Sequence, residues 1–139
     1  MSLYKNYATD SVKEQTGVPI TFEPNDDGTI PTFICSRIGE SNKEYTKALR
    51  HATKPYERQI ALKTLPQEKD AEIYLNVFVD TILKGWSNVR DETNVDMPFN
   101  KANAKKLLTD LPDLYTELKN QAGEAALFHK YGLEDEAKN

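Results

Sequence analysis

The sequence predicts a mainly α fold: a compact helical domain of four or more helices with a small N-terminal β-hairpin. Three observations carry this. The longest amphipathic stretch, Pro66 to Lys84, spaces its apolar residues at helical period. Start and stop signals for helices recur from Ser41 onward, at Ser41 with Glu44, at Asn100, and at Asp110 with Pro112. The two runs richest in β-branched and aromatic residues, Val18 to Glu23 and Thr32 to Ile38, flank one turn-forming stretch. At 139 residues the chain is most economically one domain. Its expected layout is a flexible arm over residues 1–9, a helical domain over 10–130 with the hairpin at about 18–38, and a charged tail over 131–139.

Asp10 or Ser11 caps a short helix through Gln15, with Gly17 as its stop. Between the two strand-like runs, PNDDGTIP supplies turn residues, and Pro19, Pro24 and Pro31 keep the strands at sheet edges. Ser41 and Glu44 then match a capping box. The helix that follows turns Tyr45, Ala48, Leu49 and Ala52 inward until Pro55 interrupts it, and a second segment from Tyr56 to Lys63 adds Ile60 and Leu62 to that inner face.

The Pro66–Lys84 helix keeps only the row Glu72, Asn76, Asp80 and Lys84 polar, which marks it as the most buried helix, with other elements packed around it. Gly85 is expected to close it in a left-handed conformation, and Trp86 to fold back over its last turn. A polar loop of about a dozen residues follows. Asn100 then caps a helix through Thr109, with Ala102, Leu107 and Leu108 inward. A last helix is expected from Pro112 to about Lys130 and Gly132, presenting Leu111, Leu114, Tyr115, Leu118, Ala122, Ala125 and Phe128.

Composition narrows the function. Apolar residues make up 38%, and even with the 6 Gly the chain falls short of the usual 45–50%. Such a lean core fits polar loops or a fold completed by neighbouring copies. No run of about 18 apolar residues exists to span a membrane, and the first ten residues lack the apolar region of an export signal, so the expected location is cytosolic. Cys35 is the single cysteine, and His51 and His129 are too far apart in sequence to form a metal motif. No cofactor, metal or catalytic group is expected. Cys35 with His51 has the residue types of a thiolate nucleophile and its base, but a cysteine in an apolar strand is usually a small buried residue. Asp91, Glu92 and Asp96 lack the spacing of a calcium loop. His129, near a helix end, suits the C-terminal dipole.

Two surfaces remain as candidates for protein contacts. Lys43, Lys47, Arg50, Lys54 and Arg58 are spaced by 4, 3, 4 and 4, which aligns them along one side of the helix if Pro55 only kinks it. The net charge of −4 argues against nucleic acid as the general partner, although this row has the charge to contact phosphates and Tyr45 and Tyr56 the rings to stack on bases. The second surface is the outer side of the last helix, where Leu114, Tyr115, Leu118, Leu127 and Phe128 exceed what one buried stripe needs.

The order of short motifs resembles a known family. TGVPITF, a turn, FICSRIGESNKEYTK, KPYERQI, ILKGWSNV, an acidic loop and MPFNKANAKKLLTDLPDLYTEL follow one another over roughly residues 10–125. The pattern of Gly85-Trp86, Pro98-Phe99, Asn103 and Leu111-Pro112-Asp113-Leu114 is similar to the tail assembly chaperones of long-tailed bacteriophages and prophages. The resemblance implies a mostly helical, non-enzymatic subunit that works in the host cytoplasm. It would keep the tape measure protein soluble, recruit the tail tube protein, and leave before the virion matures. Binding along an extended partner calls for many arrayed copies, hence a homo-oligomer built as a ring or spiral. The alternative is a small nucleic-acid-binding or other phage structural module using the basic face 43–58.

Overall fold

The computed structural model describes residues 2–131. Two short helices, α1 (Leu3–Tyr7) and α2 (Ser11–Thr16), precede strands β1 (Val18–Thr21) and β2 (Thr32–Cys35). Helix α3 (Lys43–Thr53), a 3-10 turn (Lys54–Tyr56) and α4 (Glu57–Ala61) follow. Helix α5 (Gln67–Val77) passes through a π turn (Phe78–Ile82) into strand β3 (Leu83–Ser87). Helices α6 (Lys101–Asp110) and α7 (Pro112–Ala122) and a 3-10 turn (Ala125–Phe128) complete the described chain.

The three strands form one antiparallel sheet in the order β1-β2-β3. The fold is therefore mixed α and β, which corrects the expectation of a mainly α domain with only a small hairpin. The error lies at Leu83–Ser87, read as the end of a helix and its glycine stop. What converts helix to strand is a pair of hydrogen bonds from Ser36, the residue that follows β2. The Ser36 backbone N–H donates to the Ile82 carbonyl at 2.9 Å, and its hydroxyl donates to that of Thr81 at 3.0 Å. With those carbonyls facing the sheet, the helix loosens to the π pattern, in which the Leu83 N–H reaches Phe78, and the chain continues extended. Register then places Gly85 opposite Ile34 and Trp86 opposite Phe33, and a bulge leaves Lys84 without a partner residue. Gly85 is thus a strand residue and not a left-handed cap; among the described residues the positive-φ glycines are Gly17 and Gly28.

Gly17 does end α2 as expected, at φ 101°, and a side chain there would come within 2.9 Å of Ile34 Cγ2. Asp10 caps that helix, accepting from the backbone N–H groups of Val12 and Lys13. Asn42, and not Ser41, caps α3; its Oδ1 accepts from Tyr45 while its Nδ2 donates to the Arg37 carbonyl at 2.8 Å. Asn100 caps α6 through Asn103 as expected, but Ala102 is exposed and Ala104 takes the inner position beside Leu107 and Leu108. Helix α7 stops at Gly123, well short of the expected Lys130. The expected stop at Gly132 and the charged tail lie outside the described residues, apart from Tyr131.

The core joins the inner face of the sheet to the π turn, α6 and α7. Phe33, Phe78, Val79, Ile82, Leu108 and Leu118 are each at most 2% exposed. Burial along the expected central helix is therefore concentrated in its second half, while Ala71 and Tyr74 in the first half stay exposed. Residues expected to form a loose arm include α1, and Thr9 bridges to His129.

Candidate interaction surface

The five cations Lys43, Lys47, Arg50, Lys54 and Arg58 all stand exposed along α3, the 3-10 turn and α4. Pro55 sits within that 3-10 turn, so the helical path is tightened and not broken, and the row survives the interruption. Helix α3 starts at Lys43 because Asn42 satisfies its first turn, and it lies against α5 and the π turn. Its inward residues Tyr45, Ala48, Leu49 and Ala52 are only half-buried, and Ile60 and Leu62, expected on the same inner face, are exposed because no element among the described residues packs over them. Among the described residues none of the five cations has an ion-pair partner, whereas Lys84, Lys101 and Lys106 each do. Glu44, Lys47, Ala48, Arg50, His51 and Lys54 enclose an open groove of about 480 Å³ on this side. Unpaired exposed cations beside an apolar shelf are suited to docking an acidic surface.

The second expected surface is not free. Leu118 and Phe128 are fully buried, Leu114 and Tyr115 are half-buried against the core, and Phe78 meets Tyr115 with ring centroids 5.2 Å apart. Burial pushes the Tyr115 hydroxyl up to about 12. Leu114 and Leu118 are therefore packing residues. Leu127 of the same stripe is half-buried in the 3-10 turn.

The motif residues come together as a packing unit. Trp86 meets Phe33 on one side and Phe99 on the other, at centroid distances of 5.8 and 5.0 Å, all edge-to-face. Its indole N–H donates to the Met97 carbonyl at 2.7 Å. Trp86 thus pins the loop before α6 to the sheet and does not fold over the central helix. Pro98 is exposed and its carbonyl accepts from the Asn103 side chain at 2.8 Å, which ties the loop to α6. Leu111, Pro112 and Asp113 form the exposed corner between α6 and α7. Asp110 does not cap α7; it pairs with Lys106 at 2.7 Å.

Two polar arrangements escaped sequence reasoning. In the first, Arg90 reaches Asp27 in the β1–β2 turn and, at 3.2 Å, Asp96 in its own loop. The Asn25 side chain donates to the Asn88 carbonyl at 3.0 Å, so the two loops are held as one body. The hydrogen bonds of Thr29 and Arg90 hold the Asp27 carboxyl well below the usual carboxylate range. The second lies under α3, where Arg37 pairs with Glu14 at 3.3 Å. Burial alone would raise the Glu14 carboxyl, but the Ser41 and Thr9 hydroxyls and Arg37 outweigh it and hold it below the ordinary value. The one available signal was a lone arginine in an acidic loop, which needs partners.

The remaining sequence candidates are also placed. Cys35 is fully buried and burial pushes its thiol up to about 12, so at neutral pH it is a thiol and not a thiolate, while His51 stands on the exposed face of α3. Asp91 spends its carboxylate on Thr93 and on the Val95 N–H within its own turn. No cluster of three or more metal-ligating side chains occurs among the described residues.

Fold and surface together define a small α and β protein with an exposed row of cations that its own described residues leave unpaired. A family model described as YdaY prophage protein matches residues 40–139, and the chain belongs to that family. It is a phage or prophage protein. The matched segment contains the whole cationic row, β3, Trp86 and Phe99, and leaves out β1 and β2, the latter carrying the Phe33 that packs on Trp86. No curated protein and no solved structure matches.

Proposed function

We propose that this protein is a tail assembly chaperone that self-associates, keeps the tape measure protein soluble during tail morphogenesis and recruits the tail tube protein. The observation that carries the reading is the order of motifs from Gly85-Trp86 through Pro98-Phe99 to Leu111-Pro112-Asp113-Leu114, in a chain of a prophage family. The five exposed cations without ion-pair partners support it as well, since they leave one side of the molecule available for protein contacts. The protein works without catalysis, in the host cytoplasm, and is absent from the mature virion.

The test is co-expression with the tape measure protein of the same genome. That partner is expected to shift from the pellet to the soluble fraction and to co-purify with this chain. A tape measure protein equally insoluble with and without it would sink the proposal.

A further inference from the structure

We propose that the protein assembles head to tail, with the cationic face of one copy seated on the acidic loop end of the next. This rests on the self-association in the proposed function and names the two surfaces that carry it. From Lys43 to Lys63 the chain places six cations against two carboxylates, and one of those, Glu44, is already taken by Lys84 at 2.9 Å. The loops 22–31 and 88–98 hold six carboxylates against one guanidinium, that of Arg90, which Asp27 and Asp96 occupy. Glu23, Asp26 and Glu92 are exposed and form no ion pair among the described residues. Each charged region therefore keeps an excess that its own chain leaves unmatched.

The sheet sets their placement. Both acidic loops leave the strands at the end where Thr21 pairs with Thr32 and Thr32 with Ser87. The segment leading to α3 leaves from the opposite end, where Val18 and Leu83 flank Cys35. Two complementary surfaces that depart from opposite ends of one sheet join neighbouring copies by a heterologous contact, which repeats as a ring or an open spiral. The Arg90 clamp fixes the acidic side before it meets a partner, which lowers the ordering cost of association. Each side also carries exposed apolar residues, Ile60 and Leu62 on one, Ile30 and Val95 on the other, as the water-excluding centre that an interface needs. A second copy suits the cationic face better than nucleic acid, because a chain of net charge −4 repels a polyanion at long range and every copy brings a matching acidic end.

The test uses two charge-reversed variants of the full chain, Lys47→Glu with Arg50→Glu, and Asp26→Lys with Glu92→Lys. Sedimentation velocity follows each across concentration, with circular dichroism as the check on folding. The wild type is expected to grow with concentration and to dissociate as salt rises from about 50 to 500 mM. Each variant alone is expected to associate at least about tenfold more weakly. An equimolar mixture should recover association, because each variant presents the face that the other now needs. Should the first pair unfold, Lys54→Glu with Arg58→Glu repeats the test on the same face. Variants that associate like the wild type, or a mixture that stays dissociated, overturn the proposal. So does a short DNA duplex that binds the wild type and is lost with Lys47→Glu and Arg50→Glu, which would assign the face to phosphates. A chain that remains monomeric yet solubilises the tape measure protein overturns this inference and leaves the proposed function standing.

Discussion

The helical segment from α3 to the start of α5 and the sheet-centred body obey different rules. In the body the arginines are spent locally: Arg37 is held by Glu14, Arg90 by Asp27 and Asp96, and Phe33, Trp86 and Phe99 interlock. In the helical segment all of α4 is exposed, Ile60 and Leu62 are 42% and 62% exposed, and the five cations from Lys43 to Arg58 have no ion-pair partners among the described residues. Side chains that satisfy one another hold a fold together. Side chains left unsatisfied on a formed helix are available to another molecule.

The comparison breaks most visibly at Phe78, which is 2% exposed between the sheet and Tyr115. Phe78→Ala is expected to cost about 3–5 kcal/mol in denaturant unfolding. Ile60→Ala in the helical segment should cost within about 0.5 kcal/mol. Equal losses at the two positions would erase the distinction.

A smaller effect is expected at the junction of the two regions. Asn42 is 2% exposed, caps α3, and donates to the Arg37 carbonyl and the Ser36 hydroxyl. Asn42→Ala removes a cap and leaves the part-buried Arg37 carbonyl short of a donor, at a cost of about 1–3 kcal/mol. Amide exchange should quicken in the first turn of α3 before it quickens in β2, and the reverse order would contradict this role for Asn42.

The smallest effect is one of pH. Glu14 is held below its ordinary value of 4.5 in the folded chain, so its contribution is complete above that value and is lost as pH falls through the lower folded one. Melting temperature followed from about pH 6 to pH 3 should therefore fall less steeply for Glu14→Gln than for the wild type. Parallel curves would show that Glu14 titrates alike in the folded and unfolded states.

Most of the helix starts and the exposed cationic row were legible because they depend on neighbours in sequence. Asn100 and Asp10 cap through residues two or three positions away, and the spacing of Lys43 to Arg58 needs only a continuous helical path. The third strand was illegible for the opposite reason. Ile82 and Leu83 fit both a buried helix and a buried strand, and the choice is made by Ser36, 46 positions from Ile82. The same distance problem hid the Arg90 clamp, whose partner Asp27 is 63 positions away. The end of α7 at Gly123 is illegible because a glycine inside an amphipathic run is only a weak stop signal. For the outer stripe of α7, spacing marked an apolar face without saying that Leu118 and Phe128 lie within the core.

Near the two ends of the described chain, the Asp10 N–H donates to the Phe128 carbonyl at 2.9 Å and the Lys130 N–H to that of Ala8 at 2.7 Å. On the ribosome these bonds are separated by time. Translation at about 5–20 residues per second delivers Phe128 several seconds after Asp10 has emerged. Through that interval α2 has its own cap but no 3-10 turn to rest on, and the three strands can already pair once Ser87 is out. The seam between the ends is therefore the last of these contacts for which both partners become available. A nascent chain halted before Phe128 would carry the cations of α3 and all three strands while its first helices still waited for their seat.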